Sequence, residues 1–188
     1  MNFNDRIQLI SGIEGEVDSE ECEILYELAK KCKKGVIVEI GSYKGLSTVC
    51  LGYGSMDGFK KRVYGVDTFV GTGEKANLNL PSYLSEFRKN IFNNRLHKLV
   101  KPRVGLSIEV AKTFKQKIGL LFIDGGHAYE DIKSDFKSWS PKMIKGGVIA
   151  FHDIDSWTEP TRFINENIRG NKKYERLGQV KSVFYIRV

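Results

Sequence analysis

Runs of Val, Ile and Leu alternate along the chain with stretches whose apolar residues recur at helical spacing. From Ser19 to Lys33, Ile24, Leu25, Leu28, Ala29 and Cys32 share one face, and Asp18 or Ser19 is placed to cap the helix. A strand from Val36 to Ile40 follows, then a helix from Leu46 to Tyr53 with Leu46, Val49, Cys50 and Tyr53 on one stripe. A second strand runs from Arg62 to Val66 and ends at Asp67. The stretch from Gly71 to Pro81 has little periodicity and reads as a long loop, a type that often carries function. Tyr83, Leu84, Phe87 and Ile91 predict another helix. A third strand is expected from Leu99 to Val104, where Pro102 argues for an edge or a late position in the strand. Ile108, Ala111 and Phe114 mark a short helix, and Ile118 to Ile123 a fourth strand ending at Asp124. Ala128, Ile132, Phe136 and Trp139 form the expected buried face of the next helix. A fifth strand from Gly147 to Phe151 ends at His152 and Asp153. A helix from Thr161 to Ile168 and a hairpin of residues 174–180 and 182–188 complete the pattern.

Continuous apolar strands separated by helices imply a parallel sheet covered on both faces, with the hairpin adding an antiparallel edge. Ligands of such sheets sit beyond the carboxyl ends of the strands. Glu39, Asp67, Asp124 and the His152-Asp153 pair would gather on that one rim. Any one of them fits a structural cap; four together fit that reading less well.

The 188 residues suit one domain, 41% apolar and 28% charged, which is ordinary for a soluble globular chain. No apolar run approaches the roughly 20 residues needed to span a bilayer. The first residues lack the basic start and apolar stretch of a signal peptide, so a cytoplasmic protein without a membrane partner is expected. Cys22, Cys32 and Cys50 form no Cys-x-x-Cys pair and are expected as buried, reduced thiols on helical stripes. The net charge of +7 raises nucleic acid as a partner. The basic residues are scattered or end a helix, as Lys30, Lys31, Lys33 and Lys34 do, with no dense stripe interleaved with aromatics. That distribution argues against nucleic acid.

Gly41 and Gly45 follow the first strand with Ser42, Tyr43 and Lys44 between them. Glycines there permit a sharp turn and close approach of the backbone to a ligand, and helix N-terminal amides can face a carboxylate or phosphate. A dinucleotide fingerprint needs a further glycine where the pyrophosphate lies. Its absence, with Glu39 at the strand end, disfavours a nicotinamide-dependent oxidoreductase. A carboxylate at this point suits an ammonium instead, and S-adenosylmethionine carries an ammonium and a sulfonium. Asp67 can accept both ribose hydroxyls or cap a turn. Phe69 can pack on an adenine or belong to the core.

The segments Val38 to Thr48, Tyr64 to Phe69, Ile123 to Glu130 with Asp135, and Gly146 to Asp153 together resemble one branch of the class I methyltransferases. That branch includes the macrocin O-methyltransferase-like and cephalosporin-hydroxylase-like proteins (methyltransferase family 24 type), and the likeness extends from about Val36 to Asp155. It implies a Rossmann-like α/β fold whose seven-stranded, mostly parallel sheet has the order 3-2-1-4-5-7-6. The length suits a single domain, residues 1–188, with an N-terminal helical segment, residues 1–34, available to cover the site. Glu39, Gly41, Ser42, Gly45, Ser47, Asp67, Phe69 and Asp124 would lie along S-adenosylmethionine, and Gly105 and Ser107 near its adenine. Tyr43 replaces the middle glycine of the wider superfamily, a departure common in this branch.

The implied reaction is O-methylation of a small-molecule hydroxyl on a sugar, phenol or other secondary metabolite. Such transfer asks the protein to position the acceptor and remove its proton. Asp124 and Asp153, ending adjacent strands, suit Mg²⁺ or another divalent metal. His152 stands where some relatives have a third acidic ligand, and imidazole suits Zn²⁺, Fe²⁺ or Mn²⁺ better than Mg²⁺. Asp153 as a helix cap is the structural alternative. His127, three residues after Asp124, is the expected general base, assisting catalysis with Asp124; hydrogen bonding to the backbone is its alternative role. A non-catalytic donor-binding protein is the competing reading, and the acceptor and a homodimeric state are left open.

Overall fold

The computed structural model describes residues 3–71 and 82–188. The expected loop from Gly71 to Pro81 lies, apart from Gly71, outside the described residues. Two helices, α1 (Asn4–Ile10) and α2 (Ser19–Lys31), precede β1 (Val36–Ile40) and α3 (Leu46–Asp57). There follow β2 (Val63–Asp67), α4 (Leu84–Asn93), β3 (Val100–Val104) and α5 (Ser107–Thr113). The second half contains β4 (Ile118–Ile123), α6 (Tyr129–Trp139), β5 (Met143–Phe151), α7 (Thr158–Asn167), β6 (Glu175–Val180) and β7 (Val183–Arg187).

The seven strands form one sheet in the order β3-β2-β1-β4-β5-β7-β6. The first five are parallel, and β7 pairs antiparallel with β5 and β6. Every residue of β4 is buried, as expected of a central strand covered on both faces. Pro102, which has no N–H for the ladder, lies in β3 at the sheet edge. One core layer joins Leu25, Tyr26, Leu51 and Phe87 against one face of the sheet; Phe114, Trp139, Phe151 and Phe163 fill the other.

Several boundaries differ from the sequence pattern. Helix α3 continues to Asp57, four residues past Tyr53, because its glycines serve packing rather than termination. A Cβ at Gly54 would lie 2.0 Å from the Tyr26 carbonyl oxygen, so α2 and α3 approach backbone to backbone. Strand β5 starts at Met143, ahead of an irregularity opposite Ile118–Leu120. Helix α7 starts at Thr158 rather than Thr161. Ala128 is the exposed N-cap of α6, not part of its buried face. Asp18, rather than Ser19, caps α2 and forms a capping box with Glu21. The three cysteines are free and buried, with Cys32 at the α2 C-cap. No helix among the described residues is long and apolar enough to cross a membrane.

Candidate active site

The parallel order brings the carboxyl ends of β1, β2, β4 and β5 to one edge. At β1 the chain must turn beneath its neighbour. Gly41 has φ +85°, and a Cβ there would lie 1.8 Å from the Asp124 carbonyl oxygen. A side chain is therefore excluded both by conformation and by space. Asp124 N donates to the Ile40 carbonyl at 2.9 Å, so the loop after β1 and the end of β4 are in contact. Gly45, at φ +94°, is the N-cap of α3 and supplies no side chain to its first amides. Those amides suit a carboxylate or another anion.

Asp67 shapes this loop. Its Oδ2 accepts the backbone N–H groups of Ser42 and Tyr43, both at 2.8 Å, and Oδ1 accepts Phe69 N–H at 2.7 Å. A carboxylate has capacity for further hydrogen bonds, which leaves acceptor lone pairs for ribose hydroxyls. The loop-building role was hidden in the sequence, since Ser42 and Tyr43 lie 25 and 24 residues away, in the loop after β1.

Glu39 is fully buried below the loop, not on its surface. It accepts from Ser42 Oγ at 2.7 Å and from Thr48 Oγ1, and also pairs with Ser47. Burial pushes its carboxyl up to about 7, against the pull of those hydroxyls. Its Oε1 has no hydrogen-bond partner among the described residues. Expected as a direct contact for the donor ammonium, Glu39 is instead buried with its hydroxyl partners, and so are Ser42 and Ser47.

Phe69 corrects a second expectation. Its ring is fully buried against Phe87, with centroids 5.1 Å apart, so the core alternative holds and no open face is offered to adenine. Ser107 begins α5, and its hydroxyl accepts Trp139 Nε1–H at 2.8 Å and pairs with buried Asp135. That hydroxyl is thus engaged between α5 and α6. Gly105, at φ +143°, turns the chain after β3, with its N–H on the Asp67 carbonyl at 2.9 Å.

The ends of β4 and β5 carry a cluster of charge. His152 Nδ1 is 3.0 Å from Asp124 Oδ1 and 3.3 Å from Asp153 Oδ1. One ligand atom from each of Asp124, His152 and Asp153 lies within 4.8 Å of the other two. The two carboxylates and the imidazole therefore converge on one point, a donor set that fits a divalent cation with open positions for water or acceptor. Burial disfavours a charged His152, but hydrogen bonds to Asp124, Asp153 and Glu21 outweigh it and push its pKa up to about 12. In the absence of a cation, the imidazolium supplies the positive charge these carboxylates require.

His127 Nδ1 lies 3.1 Å from Asp153 Oδ2, and its ring meets that of Trp157 edge to face at 4.8 Å. The hydrogen bond to Asp153 raises the His127 pKa. It also fixes the tautomer: with Nδ1–H donating, Nε2 has the lone pair and is the basic atom. Burial raises Asp153, but hydrogen bonds from His127 and His152 prevail and hold it below the usual carboxylate range.

Two neighbouring features were not legible as site elements. Glu21, from α2, reaches His152 Nε2 at 3.3 Å across 131 residues of sequence. Its sequence signal was the D-x-x-E capping box alone. Glu14 accepts from Tyr43 Oη at 2.6 Å and Lys44 Nζ at 2.8 Å, bringing the chain between α1 and α2 against the β1–α3 loop.

Known proteins share this fold. The profile of a family described as a methyltransferase domain (methyltransferase family 24 type) matches residues 38–154. Two curated relatives, both uncharacterized, are 28% identical. One, from Sinorhizobium fredii, matches over 63% of this chain and 13% of its own length; the other, from Acanthamoeba polyphaga mimivirus, over 71% and 59%. The chain thus corresponds to only part of each of these relatives. Among solved structures, the O-methyltransferase from Bacillus cereus in complex with SAH (S-adenosylhomocysteine) is 20% identical, with a TM-score of 0.66 over 98% of this chain and 88% of that one. A TDP-rhamnose 3'-O-methyltransferase of calicheamicin biosynthesis is 20% identical, with a TM-score of 0.64 over 88% and 76%. At such identities the structures speak for the fold, which has the expected strand order. The profile covers more than half of the chain, and by it this protein belongs to the class I S-adenosylmethionine-dependent methyltransferases of the family 24 type.

Proposed function

We propose that this chain methylates a hydroxyl of a small molecule, using S-adenosylmethionine and assisted by a divalent cation. The observation that carries the reading is the contact between Gly41 and Asp124, by which the donor loop adjoins the His127–Asp153 pair. S-adenosylmethionine supplies an activated methyl group, so the protein's tasks are alignment and proton removal.

On the donor side, Gly41 and Gly45 form the turn, packed against Asp124 and Phe87 respectively; the α3 amides take the donor's carboxylate, and Asp67 takes the ribose. Glu39, Ser42 and Ser47 support the loop from below. Gly105 and the main chain at Ser107 border the adenine. On the acceptor side, Asp124, His152 and Asp153 would hold the cation, which would lower the acceptor hydroxyl's pKa and fix its orientation. His127 Nε2 takes the proton, and Asp153 steadies the imidazolium that results. Trp157, 55% exposed beside His127, offers a ring face to the acceptor. Support for a hydroxyl acceptor comes from the O-methyltransferases that share the fold.

Calorimetry with S-adenosylhomocysteine tests donor binding; a saturable micromolar heat is expected, and none would sink the proposal. An acceptor screen with and without Mg²⁺ or Mn²⁺ separates an enzyme from a non-catalytic donor-binding protein.

A further inference from the structure

Glu21 stands outside the catalytic rim and outside everything the methyl-transfer reading uses. It lies in the first turn of α2 and is almost completely buried. All of its acceptor capacity is directed. Oε1 accepts Ser182 N–H at 3.0 Å and Ser182 Oγ at 2.5 Å; Oε2 accepts Asp18 N–H at 3.0 Å and faces His152 Nε2 at 3.3 Å. Its carboxylate is thereby held from three sides: the α2 N-terminus, the β6–β7 turn and the end of β5.

A capping box alone does not explain this position. Glutamates at the third position of exposed helices cap equally well, whereas burying a carboxylate costs energy unless it is fully paired. The distinctive partner is His152, whose other ring nitrogen faces Asp124 and Asp153. An imidazole that ligates through one nitrogen needs the other to donate, and a carboxylate at that second nitrogen fixes both ring orientation and tautomer.

We propose that Glu21 is the positioning residue for His152, holding Nε2–H so that Nδ1 is presented to a divalent cation shared with Asp124 and Asp153. This rests on the cation site of the proposed function. It makes that site depend on α2 being docked, and so ties the N-terminal part of the chain to the acceptor half of the rim. Neutral His152 then donates through Nε2 to Glu21 and ligates through Nδ1, with the Nδ1 proton released to solvent as the cation binds.

The test measures Mn²⁺ affinity by calorimetry for the whole chain, for Glu21→Gln, for His152→Asn and for the double variant, with S-adenosylhomocysteine affinity alongside. Glu21→Gln should weaken Mn²⁺ by roughly 10- to 100-fold. The same change in the His152→Asn background should add nothing, because Glu21 acts only through the ring. Donor affinity should stay within about threefold, this being well below the weakening expected for Mn²⁺. Unchanged Mn²⁺ affinity, or an equal loss in both backgrounds, overturns the proposal. Nitrogen-15 spectra of the parent's histidine rings decide it even where a variant does not fold. A hydrogen-bonded His152 Nε2–H is expected, with Zn²⁺ shifting Nδ1 instead. Absence of that proton, or ligation through Nε2, overturns the assignment. If the parent binds no metal, the cation of the proposed function and the positioning role of Glu21 are both overturned, whereas unchanged Mn²⁺ affinity in Glu21→Gln overturns the positioning role alone; if the parent binds no S-adenosylhomocysteine, the donor reading fails separately.

Discussion

The two halves of the rim use polar groups in opposite ways. On the donor side, carboxylates are engaged in building the loop: Asp67 gathers three main-chain N–H groups, and Glu39 is buried among hydroxyls beneath it. On the β4–β5 side, carboxylates face imidazoles: Asp124 and Asp153 meet His152, and Asp153 meets His127. In the proposed reading, the first half is a scaffold whose shape binds the donor, and the second a set of charges that acts on the acceptor. Steric and hydrogen-bonding changes should therefore damage the donor half, and changes of charge the acceptor half.

The largest effect is expected where the halves touch. Gly41→Ala places a methyl group against the Asp124 carbonyl at a positive φ, and should cost on the order of 3 kcal/mol or more of stability and abolish donor binding. A melting temperature equal to the parent's would contradict that geometry. Next comes Asp153→Asn, which removes a proposed ligand and the partner of His127. Methyl transfer to any acceptor found by the screen should fall at least about 100-fold, with S-adenosylhomocysteine binding kept. Loss of donor binding in this variant would blur the division between the halves.

Asp67→Ala should weaken the donor by roughly 10- to 100-fold, since its charged hydrogen bonds to the loop and the proposed ones to the ribose are removed together. Affinity equal to the parent's would remove Asp67 from the site. A smaller, pH-dependent effect is expected at Glu39. Its folded pKa, about 7, lies above the ordinary glutamate value of 4.5, so the unfolded chain ionises first as pH rises. The resulting penalty is absent below the unfolded pKa and grows until the pH passes the folded one. Glu39→Gln should thus gain stability relative to the parent between pH 5 and pH 8, by at most about 3 kcal/mol. Denaturant melts at both pH values check this; a relative loss at pH 8 would show Glu39 to be stabilised as a carboxylate. Smallest is Trp157→Ala, expected to raise the acceptor KM roughly 2- to 10-fold with kcat little changed. A fall in kcat alone would move Trp157 from binding to positioning His127.

The legibility of the two halves differed for the same physical reason. Strand order, the hairpin and the placing of Asp67, Asp124, His152 and Asp153 on one rim follow from local patterns: apolar runs, polar strand ends and loop glycines. What those side chains touch is set by the tertiary structure. Glu39 looks like a ligand contact in sequence because it ends an apolar strand, yet the pleat turns it below the loop. Phe69 adjoins a donor candidate but packs on Phe87, brought from α4. Glu21 carries only a helix-capping signal, since Ser182 and His152 are more than 100 residues away along the chain. Gly54 reads as a helix breaker until α2 is seen against it.

A crossed binding measurement, with S-adenosylhomocysteine and Mn²⁺ titrated by calorimetry into Asp67→Ala and Asp153→Asn, tests the division of the rim most directly. Asp67→Ala is expected to lose donor affinity and keep Mn²⁺, and Asp153→Asn to lose Mn²⁺ and keep the donor. If either variant lost both ligands, or neither, the division of the rim into a donor scaffold and a charged acceptor half would be contradicted.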